Sequence, residues 1–192
     1  MTIKNFTKFL TWLRRGHQIS YFIGGTTYKG KVNQHRTLIQ RGPDEIFNVL
    51  LNSDQLRQWC PVEQISVEIV TPGEFRVGTR FHSKLRFRIQ PEWDSEVIHL
   101  EKNRQIISQF LNGIFEGGIE IWDLKETVSG TKVTHTLVYG INRWIYKIGW
   151  FLLGGKKKHD ELTEVALSRL KSLLERNAPS PTPSPPWGRR EV

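Results

Sequence analysis

His99 and His135 are the side chains whose type and setting best suit proton chemistry. Strand alternation puts His99 on one face with Trp93 and Val97, and His135 on one face with Val133, Leu137 and Tyr139. An imidazole titrates near neutral pH, so in an apolar pocket either could act as general base for an aldol-type cyclisation, with Tyr139 or Glu120 as the acid. The same positions equally suit hydrogen-bonded core or rim histidines with no chemistry. Other chemistries are not spelled out along the chain. No run of His, Cys or carboxylates has metal-ligand spacing, so no metal and no other cofactor is expected. The stretch from Gly113 to Gly118 lacks the Lys-Ser/Thr ending of a phosphate loop, and no nucleophile motif is present. Cys60 is the single cysteine, which excludes an internal disulfide and fits a reducing compartment.

A second set of residues suits ligand contact rather than catalysis. Phe81, Leu85, Phe87, Trp93, Val97, Phe110, Trp122 and Tyr139 fall on apolar faces of strand-like segments. In most proteins such residues are core. Where the interior is incompletely filled, the same residues line a pocket. Trp144 and Ile148 belong to the helically spaced stretch Trp144 to Leu153, which carries more apolar surface than one buried stripe requires. That stretch is readable as a lid over the pocket, a lipid contact, or part of the core.

Several elements must position these groups. Gln34 to Gln40 suits a strand, and Pro43 opens a helix with Asp44 and Glu45 at its positive end. Ile46, Phe47, Leu50 and Leu51 form its buried stripe, and Ser53 caps a second short helix that Pro61 ends. Ile65, Val67 and Ile69 alternate as in a half-buried strand. From Thr79 to Leu100, apolar and charged residues alternate on both sides of Pro91. A hairpin centred on Gln90 sets Arg88 against Glu92, Arg86 against Asp94 and Lys84 against Glu96, with Phe87 facing Trp93 and Leu85 facing Ser95. These acidic partners argue against a nucleic-acid face. Strands at Gln105–Asn112, Gly118–Glu126 and Thr131–Tyr139 extend an antiparallel meander. A long last helix then puts Leu162, Val165, Ala166, Leu170, Leu173 and Leu174 on one face.

The two ends differ from this middle. Net charge is +9, and every charged residue before Asp44 is basic; these supply +8 and leave the rest close to neutral. In the first segment Phe6, Phe9, Leu10, Trp12 and Leu13 share a helical stripe flanked by Lys4, Lys8, Arg14 and Arg15. This basic amphipathic helix suits an anionic membrane surface, where each nearby cation adds about 1 kcal/mol, or docking on its own domain. Residues 17–33 fit a small hairpin or an irregular linker. From Ala178 the prolines predict an extended, disordered tail. No signal peptide or membrane span is expected.

The order of these pieces resembles the polyketide cyclase/dehydrase-like branch of the START-related (SRPBCC, birch-pollen-allergen-like) superfamily. The resemblance covers roughly Gln34 to Glu175. It is carried by PDEIFNVLLNSDQLRQWCP with Trp59, VGTRF at Val77–Phe81, Trp122 and Leu124, GTKVTHT at Gly130–Thr136, and the terminal LSRLKSLLE. It implies an α+β helix-grip fold: a seven-stranded antiparallel sheet wrapped around a long C-terminal helix, with two short helices after the first strand. It also implies a cavity for lipids, polyketides, isoprenoids or other apolar molecules, and it implies no particular reaction.

The expected organisation is a basic extension over 1–33, a ligand-binding domain over 34–177 and a tail over 178–192. The expected function is binding or carriage of a hydrophobic small molecule, in a cytoplasmic protein held or not held at a membrane surface. A cyclase-like enzyme and a structural or protein-interaction module are the alternatives.

Overall fold

The computed structural model describes residues 18–86, 90–141, 144, 146–147, 150 and 154–176. The amphipathic stripe from Phe6 to Leu13, the proline-rich tail, and Phe87 and Ile148 lie outside the described residues. Eight strands form one sheet: β1 (Gln18–Ile23), β2 (Thr26–Ile39), β3 (Ile65–Ile69), β4 (Arg80–Leu85), β5 (Glu92–Glu101), β6 (Gln105–Phe110), β7 (Ile119–Thr127) and β8 (Gly130–Tyr139). Their spatial order is β1-β2-β8-β7-β6-β5-β4-β3, and every neighbouring pair is antiparallel. Helices α1 (Pro43–Leu51) and α2 (Ser53–Trp59) connect β2 to β3, and α3 (Gly155–Arg176) ends the described chain. The architecture is α+β and compatible with a helix grip.

Sheet and helix meet through complementary apolar faces. α3 turns Ala166, Leu167, Leu170, Leu173 and Leu174 inward against Ile39, Val97, Ile106, Leu124 and Val133 of the sheet, with Ile46, Phe47 and Trp59 of α1 and α2 closing the side. Full burial of each Leu or Ile contributes about 1.5–3 kcal/mol. α1 starts with Pro43 at its first turn as the sequence suggests. The cap of α2 is Asn52 rather than Ser53: its Oδ1 accepts from the amides of Asp54 and Gln55 at 2.9 and 3.1 Å.

The strand count departs from the seven expected. Residues 18–33, left open between hairpin and linker, form β1 and the first half of β2, so the two short helices follow the second strand. Tyr21, Ile23 and Tyr28 of this hairpin pack with Ile107, Ile119, Ile121 and Val138 on the side of the sheet away from α3. The Tyr28 hydroxyl donates to Gln109 Oε1 at 3.2 Å. An antiparallel sheet ordinarily leaves one face to water; here part of that face is apolar and the hairpin covers it.

Two register details move side chains relative to the sequence reading. In the β4–β5 hairpin Lys84 pairs with Glu92, His82 with Asp94 and Arg80 with Glu96, while Ser83 faces Trp93 and Phe81 faces Ser95. The expected register is four residues out, since Lys84 meets Glu92 and not Glu96. Pro91 has no N–H to donate; its carbonyl accepts from Leu85 at 3.0 Å, and Glu92 begins the ladder. Because the shift is even, the charged and apolar faces stay as expected. In β5 a bulge lies between Val97, which pairs with Ser108, and His99, which pairs with Ile107. The extra residue inverts the alternation beyond it.

Candidate functional site

Between the sheet, α2 and the first half of α3 lies a cavity of about 1080 Å³. Its walls are mainly aromatic and aliphatic: Trp59 and Leu56 from α2, Phe81, Leu85, Trp93, Phe110 and Trp122 from the strands, Phe115 from the β6–β7 connection, and Leu162 and Ala166 from α3. Room arises because β4, β5 and β6 contribute the small residues Ser83, Ser95 and Ser108 to the same wall, all buried. Edge-to-face contacts brace the large rings. Trp59 meets Trp122 at 5.7 Å and Phe110 meets Phe115 at 5.6 Å between centroids.

Polar side chains concentrate on the wall formed by β7, β8 and the start of α3. Glu120 and His135 lie on neighbouring strands, and His135 Nε2 is 2.6 Å from Glu120 Oε1. The His135 side chain is 4 % exposed and its ring stands edge-on to Trp122 at 4.7 Å. His135 Nδ1 is buried with no hydrogen-bond partner among the described residues, as is Trp59 Nε1. Burial pushes the Glu120 carboxyl up, but the hydrogen bond from His135 and the imidazoles of His135 and His159 outweigh it and hold the group below the usual range. Glu120 is therefore a carboxylate at neutral pH, open to the cavity it lines. His159 of α3 stacks on His135 at 6.2 Å, and desolvation, reinforced by the nearby His135, pushes its pKa down to about 4. Cys60 also lines the cavity, with its thiol pushed up to about 11, first by burial and then by Glu120 and Glu63.

The expected site residues separate into groups. His135 and Glu120 come together on the cavity wall, as do Phe81, Leu85, Trp93, Phe110 and Trp122. His99 does not join them: the β5 bulge pairs it with Ile107, whose side chain packs on the far face of the sheet, while Leu100 takes the inward position. Tyr139 is buried beyond the end of the cavity, ring against Phe115 at 5.1 Å and Trp150 at 5.9 Å. Val97 is fully buried in the packed core beneath α3, and Trp144 is 71 % exposed. Neither lines the cavity.

Sequence reasoning passed over His35, Asn33, His159 and Asp160. His35 is the cross-strand partner of His135, and Asn33 and His35 alternate along β2 with buried Ile39. His159 stands three residues before Leu162 and seven before Ala166, on the inward stripe of α3. Extending that stripe by one turn would have found it.

No family model matches the chain, and no curated protein matches it. Solved structures do. A protein from Thermus thermophilus, TTHA0849, is 18% identical over 77% of this chain and 99% of its own, with a TM-score of 0.63. Ara h 8.0201 is 10% identical over 76% of this chain and 98% of its own, with a TM-score of 0.57. The Aha1 dimer of Colwellia psychrerythraea is 23% identical over 75% and 96%, with a TM-score of 0.51. The fold is one these solved structures share, an antiparallel sheet packed on a long C-terminal helix. At these identities the likeness extends to the architecture, and the cavity and its polar wall belong to this chain's own residues.

Proposed function

We propose that the chain binds a hydrophobic small molecule of the lipid, polyketide or isoprenoid kind inside the cavity. The observation that carries this reading is the aromatic-walled space of about 1080 Å³ with Glu120, His135 and His159 on one wall. Apolar surface buried there contributes about 25 cal/mol per Å². A hydroxyl or other donor on the ligand would meet the Glu120 carboxylate that lines the cavity. The likeness to Ara h 8.0201 and TTHA0849 supports the container and is silent on its contents. A neutral environment-sensitive dye, N-phenyl-1-naphthylamine, tests the reading. The wild-type protein should bind it and shift its emission to the blue. Ala166→Trp and Ser108→Trp, each filling the cavity from a different wall, should abolish binding with circular dichroism unchanged. Equal dye binding by both folded variants would remove the proposal.

The basic N-terminal arm adds a membrane clause to this reading, motivated by its charge and apolar stripe. Flotation with anionic vesicles of the full chain and of a chain starting at Gln18 decides it; equal flotation sinks it.

A second reading, a cyclase-like enzyme, is favoured by one contact, the 2.6 Å pair of His135 and Glu120 facing an apolar cavity. An imidazole held by a carboxylate can withdraw a proton next to a ligand carbonyl. If so, His135→Ala abolishes turnover of an enolisable polyketide while dye binding persists, and unchanged turnover excludes the base.

A further inference from the structure

Beside the cavity, three electron-pair donors from β2 and α3 converge on one point. His35 Nε2 lies 3.2 Å from Asp160 Oδ1. Asn33 Nδ2 lies 2.6 Å from that same oxygen and 3.2 Å from His159 Nδ1. One ligand atom each of His35, His159 and Asp160 fall within 4.8 Å of one another. The Asn33 amide nitrogen donates to the Asp160 carboxylate and faces His159 Nδ1. The Asn33 amide thus sits between Asp160 Oδ1 and His159 Nδ1, two of the three groups a small cation would draw together.

We propose that His35, His159 and Asp160 form a binding site for one divalent first-row transition-metal ion, of the zinc or cobalt class. Two imidazoles with one carboxylate suit such ions and do not suit the all-oxygen preference of calcium or magnesium. The surroundings match what metal ligands need from their neighbours. Lys156 Nζ holds Asp160 Oδ2 at 2.7 Å and leaves Oδ1 for the ion. Rotation of the Asn33 amide exchanges its nitrogen for its oxygen, replacing a competing donor by another oxygen ligand. The spacing of motifs along the chain carries no sign of the site, because Asn33 and His159 stand 126 residues apart.

The site adjoins the proposed ligand cavity through His159 and does not depend on it: a filled cavity and an intact metal site are compatible. The full-length protein, stripped with chelator, is titrated with CoCl₂ while visible d–d absorption and heat are followed. One cobalt ion per chain is expected, displaced by Zn²⁺. His35→Gln and Asp160→Asn should each weaken binding at least tenfold. His82→Gln, at a histidine on the far hairpin, should leave it unchanged. The metal-free variants are compared by circular dichroism, and if Asp160→Asn does not fold, His35→Gln decides alone. Absence of a cobalt band at millimolar metal overturns the proposal. So does binding that survives His35→Gln, or that His82→Gln removes.

Discussion

His135 and Glu120 share a 2.6 Å hydrogen bond between β8 and β7, on the only stretch of cavity wall where an imidazole and a carboxylate touch among the described residues. Their strand positions face the same side, since Glu120 sits opposite Leu137 and Trp122 sits opposite His135. Each partner therefore compensates the desolvation of the other. Removing one leaves the other unsatisfied, at a cost of about 1–3 kcal/mol. Glu120→Leu and His135→Phe should each destabilise the protein in urea unfolding, and the double variant should lose less than the sum of the two. Strict additivity would show that the contact contributes nothing.

The same pair sets an acid limit. The folded-state pKa of Glu120 lies below its ordinary value, so its contribution to stability is present above the unfolded pKa of about 4.3 and is lost as pH falls through the folded value. The stability gap between wild type and Glu120→Gln should accordingly narrow as pH drops below about 4. Urea midpoints at several pH values between 7 and 3 measure it. A gap that widens in acid would mean that burial, not His135, controls the carboxyl.

Cys60 reports on the cavity from within. With its thiol pushed up to about 11, the thiolate fraction at pH 8 is on the order of one in a thousand. Modification by a disulfide reagent at pH 8 should be slow in the folded protein, about 100-fold or more below the rate in urea. A molecule occupying the cavity should slow it further, because Cys60 lines that space. Reaction at the unfolded rate in the native state would contradict both the burial and the location.

Much of this molecule is legible in its residues, and the failures have physical causes. β3 emerges from alternation because its two faces differ in burial, whereas β8, buried on both faces from Val133 to Tyr139, emerges from its β-branched residues and the turn at Ser129 and Gly130. The inward stripe of α3 emerges, like β3, from unequal burial of its faces, at helical period. The 97–99 bulge does not, since one added residue in β5 leaves the composition of the strand unchanged while sending His99 to the far face. The metal-ligand cluster is invisible for a different reason: His35 and His159 meet only when β2 and α3 are brought together in space. Cavity volume also depends on closure. Ser83, Ser95 and Ser108 are ordinary strand residues until the sheet curves and aligns them.

The β4–β5 hairpin shows how a charge pattern can be right about faces and ambiguous about pairing. Arg80, His82, Lys84, Arg86 and Arg88 alternate along one strand and Glu92, Asp94 and Glu96 along the other, so a slip of four residues keeps an arginine, lysine or histidine opposite each carboxylate, although Trp93 then faces Ser83 instead of Phe87. The structure chooses Arg80 with Glu96, Nε to Oε2 at 2.7 Å, and Lys84 with Glu92 at 3.8 Å. Glu96→Lys should therefore destabilise by about 0.2–1 kcal/mol, the scale of an exposed pair, plus repulsion from Arg80. Adding Arg80→Glu should restore the urea midpoint, whereas adding Lys84→Glu should lower it again, because that change sets two carboxylates against each other at the Glu92 pairing. Rescue by Lys84→Glu in place of Arg80→Glu would establish the alternative register and move Phe81 and Leu85 along the cavity wall.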